Sequence, residues 1–129
     1  VGSLVLGALY ISLAEQVSGA LVPPPIPAEL TAEDVRLLAL FAVVVAAPLT
    51  EEVFFRGFLF AGFAKVWGFW PAAVASSLVF ALSHLSPGIL VPAFASGMLF
   101  VWVYRRTSSI WPSMLAHATQ NAIAFSVVT

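Results

Sequence analysis

The sequence predicts an all-α fold: a polytopic bundle of about five transmembrane helices, kinked near Pro48, with residues 1–129 forming one transmembrane domain. Three observations predict it. Hydrophobic residues make up 61% of the 129 residues and charged residues only 9%, where a soluble domain carries about 45–50% and about 25%. No Asp, Glu, Lys or Arg lies between Lys65 and Arg105, or after Arg106; the first gap is nearly twice the roughly 20 residues that cross a bilayer. Ser86-Pro87-Gly88 divides that gap where a turn is needed.

The same composition excludes other classes. So few charged residues cannot cover the surface of a soluble globule, and so apolar a chain is not disordered. Five basic residues against six acidic ones leave no electrostatic footprint for nucleic acid. With no cysteine there is no disulfide, thiolate nucleophile or Cys-based metal site. The expected partners are the lipid bilayer and a membrane-associated peptide or protein, with no nucleic acid.

Five helices follow in order, near 4–22, 34–65, 71–85, 88–105 and 111–128. Pro23, Pro24, Pro25 and Pro27 form a stiff loop after the first. Thr31 and Asp34 resemble an N-cap arrangement opening the second. Pro71 and Pro112 sit where first-turn prolines belong. Ala93 and Gly97 give a small-xxx-small spacing for close helix approach. The chain opens on Val1 rather than Met and is expected to be a piece of a longer protein. Lys65 and the Arg105–Arg106 pair fall in loops on one side, with all four tryptophans beside them; the positive-inside rule makes that side cytoplasmic. The expected location is a multi-pass position in a bacterial cytoplasmic membrane.

Six polar residues fall inside these spans: Glu51, Glu52, Arg56, His84, His117 and Asn121. An acid at the centre of a spanning helix costs about 2.5–3.5 kcal/mol, so such residues face the protein interior. At about 1.5 Å per residue, Glu51 and His84 lie roughly 20 Å from the cytoplasmic ends of their helices, His117 roughly 10 Å and Asn121 roughly 17 Å. Three helices thus bring polar groups to overlapping depths. Glu52 and Arg56 are four apart and can pair as a structural or substrate-orienting unit. Glu51 points about 100° away, without a partner on its own helix. Pro48 interrupts the second helix just before it, and Thr50 is expected to cap the segment that follows.

A carboxylate with an imidazole can activate water, while a second His and an Asn can stabilise an oxyanion. Glu51, His84, His117 and Asn121 supply those parts for peptide hydrolysis. H-E-x-x-H is absent, the single Asp lies in a loop, and a Ser96–His117 dyad is the weaker serine alternative.

Three motifs then carry a resemblance. Glu51-Glu52-Val53-Phe54-Phe55-Arg56, Phe80-Ala81-Leu82-Ser83-His84 and His117-Ala118-Thr119-Gln120-Asn121 match EExxxR, FxxxH and HxxxN. The chain thereby resembles the CAAX-prenyl-protease and bacteriocin-processing (CPBP, or Abi) family of intramembrane proteases over residues 48–121. The resemblance implies that Glu51 and His84 activate the attacking water, that His117 and Asn121 form the oxyanion site, and that Glu52 and Arg56 support them. It also raises a zinc-dependent alternative, with Glu51, His84 and His117 as ligands. The metal-free reading, with no cofactor, is favoured because Asn121 is a poor zinc ligand and a good oxyanion donor. A non-enzymatic immunity or transport-like membrane protein is the remaining alternative.

Overall fold

The computed structural model describes the backbone of residues 2–22, 24–25, 27, 29, 32–33 and 35–128, with side chains from Leu9 to Val127 within those ranges. Five helices run through them: α1 (Gly2–Val17), α2 (Arg36–Trp67), α3 (Phe69–Ser83), α4 (Pro87–Thr107) and α5 (Ile110–Val128). Among the described residues there is no strand. The expected N-cap at Thr31 and Asp34 lies outside the described residues.

Helix α1 stops at Val17, short of its expected end. Ser18 turns extended (φ −167°, ψ 133°) and its Oγ accepts from the Ala20 amide, opening a short 3-10 turn over Gly19–Leu21. A serine that can cap competes with helix continuation. The Tyr10 hydroxyl lies 2.9 Å from the Leu21 carbonyl and 3.1 Å from that of Gly88, tying α1 to the start of α4.

Helix α2 does not break at Pro48. The chain stays helical through it, and the interruption takes the form of two wide π turns, Ala42–Ala46 and Val53–Phe60, on either side of Ala47–Glu52. Proline removes one amide and crowds the carbonyl a turn behind it; a π turn relieves both. The expected N-cap at Thr50 is therefore not formed. With no helix start there to cap, Thr50 Oγ1 donates backwards to the Ala46 and Ala47 carbonyls.

The other junctions are short. Gly68, at φ +77°, alone joins α2 to α3, a conformation that glycine adopts without Cβ strain. The break falls at His84, Leu85 and Ser86, two residues before the expected Ser86-Pro87-Gly88, and Pro87 opens α4 as its first residue. Pro71 and Pro112 both fall in the first turns of their helices. Gly97 of α4 meets Ser77 of α3 so closely that a Cβ there would lie 2.9 Å from Ser77 Cβ. The small-xxx-small pair Ala93/Gly97 thus marks a real helix contact, both residues being buried.

Burial is inverted relative to a soluble protein. Along α2, Leu37, Phe41, Val45, Leu49 and Val53 form an exposed apolar stripe, and Trp70, Val74, Leu78 and Leu82 do the same on α3. Glu52, Arg56, Ser76, Ser77, Ser113 and His117 are buried. Such an arrangement suits an apolar solvent around the bundle. Two helices, Arg36–Trp67 and Pro87–Thr107, are long and apolar enough to cross a membrane, fewer than the five expected. For two of them the reason is length: α3 has 15 residues, about 22 Å at 1.5 Å per residue, and α1 has 16. Helix α5 has 19 residues but carries the polar His117, Gln120 and Asn121.

Candidate active site

Helices α2 and α5 run antiparallel, and the contacts show it at three heights. Ile110 lies beside Gly57, His117 beside Glu52, and Asn121 beside Val43. Polar groups from two of the three expected helices, α2 and α5, meet at the middle contact. His117 Nδ1 lies 2.9 Å from Glu52 Oε1, and Arg56 Nη1 lies 2.8 Å from the same oxygen. A carboxylate only accepts, so Nδ1 carries a proton. Nε2 faces Glu51 Oε2 at 3.8 Å. That separation is too long for a direct hydrogen bond.

The two glutamates occupy different environments. The Glu52 side chain is fully enclosed, whereas that of Glu51 keeps 32% of its surface exposed. Glu51 Oε2 is itself buried and accepts no hydrogen bond within the protein. Such an orphaned acceptor calls for an explanation. Glu52 Oε2 is a second one, while Glu52 Oε1 is taken by His117 and Arg56.

Aromatic rings wall the network. The Arg56 guanidinium lies 4.6 Å from the Phe80 centroid and 5.1 Å from that of Phe100, and its Nη2 donates to the Gly97 carbonyl at 3.3 Å. Phe100 stacks on His117 with centroids 4.8 Å apart. Phe80 packs edge-on against His117 and against His84. These apolar faces lower the local dielectric and strengthen the buried charge pairs.

The remaining site residues are placed as follows. His84 ends α3, exposed, with its Nδ1–H donating to the Phe80 carbonyl at 2.9 Å. It reaches His117 only across the Phe80 ring, and no carboxylate among the described residues lies within ion-pair distance of it. Asn121 Nδ2 donates to the Val43 carbonyl at 2.9 Å. The Ser96–His117 dyad is not formed: Ser96 and Gln120 hydrogen-bond each other, at 2.8 and 3.1 Å, while His117 is held by Glu52. Sequence reasoning missed Phe80, Phe100 and the Gly97 and Val43 carbonyls. Phe80 carried a signal, as the first residue of FxxxH; Phe100 and the carbonyls carried none.

The donors do not fit a metal. Among the described residues no three His, Asp or Glu side chains converge as a ligand set, and Glu51, His84 and His117 do not do so.

A helical bundle with an apolar exterior and a buried carboxylate–imidazole–guanidinium network has the make-up of a membrane protein. Residues 33–123 match the family model for type II CAAX prenyl endopeptidase Rce1-like proteins, and the chain belongs to that family. It is also 31% identical over 77 residues to a Bacillus subtilis (strain 168) protein named "Putative membrane peptidase YdiL". That match covers 60% of this chain and 32% of the relative, so the chain spans about a third of the relative's length. No solved structure matches the chain.

Proposed function

We propose that the chain is an intramembrane endopeptidase that hydrolyses a peptide bond of a membrane-associated protein or peptide, using water activated by Glu51. The observation that carries this reading is the pairing of Glu51 Oε2 with His117 Nε2 at 3.8 Å, next to a second glutamate that fixes the imidazole. Family membership supports it.

In this reading a water between Glu51 and His117 loses a proton to Glu51 as its oxygen attacks the scissile carbonyl. The proton then passes to the leaving amine. Glu52 holds the imidazole by Nδ1 and makes Nε2 a better acceptor, as carboxylate partners do. Arg56 offsets the charge of Glu52 inside the bilayer. His84, with Nδ1 committed to Phe80, presents Nε2 on the exposed side, where it can meet substrate. The carboxylate–imidazole pair therefore uses His117 where the motif resemblance gave His84. An apolar groove of about 310 Å³ between α2 and α5, lined in part by Pro48, Leu49, Trp111 and Leu115, lies one turn from Glu51 and suits an apolar stretch of substrate.

The test is cleavage of membrane-tethered peptides by the purified chain and its Glu51→Gln variant. Cleavage by the first and none by the second supports the reading; equal cleavage by both rejects it.

A further inference from the structure

We infer that Asn121 replaces the backbone amide that Pro48 lacks, and so sets the rotation of the helix that presents Glu51 and Glu52. The catalytic side of this inference rests on Glu51 being the base; the stability arm of the test does not depend on it.

The ladder of α2 shows which carbonyl is left over. In the first π turn the Ala47 amide donates to the Ala42 carbonyl, five residues back. Ala47 is thus not available to Val43, its α-helical acceptor. The next donor in the π register would be residue 48, acting on Val43, and residue 48 is proline. The Val43 carbonyl is left without a ladder donor from either register. Asn121 Nδ2, reaching across from α5, donates to that carbonyl at 2.9 Å.

The consequence reaches the site. A π turn adds a residue to its turn, and each residue advances a helix by about 100°. Without the π turn, Glu51 and Glu52 would be rotated against the face that begins α2. Asn121 and His117 lie four apart on α5 and grip α2 on both sides of Pro48, at Val43 and at Glu52. Asn121 is therefore a positioning residue that acts through the Val43 carbonyl.

The proposal makes the effect of Asn121 depend on Pro48. Alanine at 48 restores an amide that can serve Val43. In the purified chain, Asn121→Ala should lower the thermal midpoint and reduce kcat about tenfold, the loss of roughly one hydrogen bond, with KM unmoved. In a Pro48→Ala background the same substitution should leave the midpoint where it is. An equal loss of midpoint in both backgrounds would overturn the proposal, because Asn121 would then act by packing. Should Pro48→Ala fail to fold, Asn121→Asp decides. It keeps the shape but sets an acceptor against an acceptor, so it should lower the midpoint at least as far as Asn121→Ala; a milder effect would overturn the proposal. If the wild-type chain cleaves nothing, the catalytic reading fails and the midpoints still test the surrogate amide.

Discussion

Glu52 Oε1 accepts from His117 Nδ1 at 2.9 Å while lying 2.8 Å from Arg56 Nη1. One carboxylate oxygen thus joins two helices and serves two cationic or protonated partners. The pairing of Glu52 with Arg56 is legible from their spacing; the grip on His117 is not. If His117 takes part in the proposed chemistry, Glu52 serves both stability and turnover, and the two can be separated.

Glu52→Gln should destabilise the protein by about 3–5 kcal/mol, because Arg56 is left buried without its counter-charge. Arg56→Met should also destabilise it. The double variant Glu52→Gln/Arg56→Met should recover much of the stability, since neither charge remains, yet stay poorly active because His117 has lost its carboxylate. Unfolding midpoints and cleavage rates of the four proteins check this. Activity that returns with stability would show that Glu52 acts on the fold alone.

Glu51→Gln should behave in the opposite way. The side chain is a third exposed and holds no ion pair shorter than 3.8 Å, so its loss should leave the unfolding midpoint within error. Turnover should fall about 10²–10⁴-fold, the usual contribution of a general base. A variant that unfolds early would move Glu51 from chemistry to structure.

Gly97→Ala should weaken the α3–α4 contact by about 1–3 kcal/mol, the usual cost of overpacking. The clash is with Ser77 Cβ, at 2.9 Å, and with Ser77 Cα and Oγ, both at 3.1 Å. A Ser77→Gly change, which removes Cβ and Oγ, should therefore restore more of the loss than Ser77→Ala, which removes Oγ alone. Thermal unfolding of the single variant and the two double variants decides.

The two histidines separate metal from water chemistry. With His117 in the Glu51–Glu52 network and His84 apart from both carboxylates, His117→Ala should cost more turnover than His84→Ala, and a chelator should leave the wild type active. Stoichiometric metal in the purified protein, lost in both variants together with activity, would restore the zinc reading.

Cysteine labelling tests the orientation against a native chain that has no cysteine. Cysteines at 29 and 107 should label from opposite sides of the membrane, 107 from the cytoplasm, as the basic residues at Lys65, Arg105 and Arg106 require. Labelling of both from one side would reject that topology.

The sequence by itself determined the all-α class, the helix order and the family. Those depend on composition, on long uncharged gaps and on residues fixed at short spacings, such as Glu51–Glu52 beside Arg56 and His117 beside Asn121. Local chemistry also placed Pro71 and Pro112 in first turns and Gly97 at a contact. Tertiary structure alone decided how the polar groups are shared. Whether Glu51 meets His84 or His117 depends on how α3 and α5 are rotated against α2, and helical periodicity within one segment says nothing about rotation between segments. The same holds for Pro48. Its missing amide is written in the sequence, but a break and a pair of π turns are both answers to it, and the choice fell to a side chain 73 positions later that could reach the Val43 carbonyl.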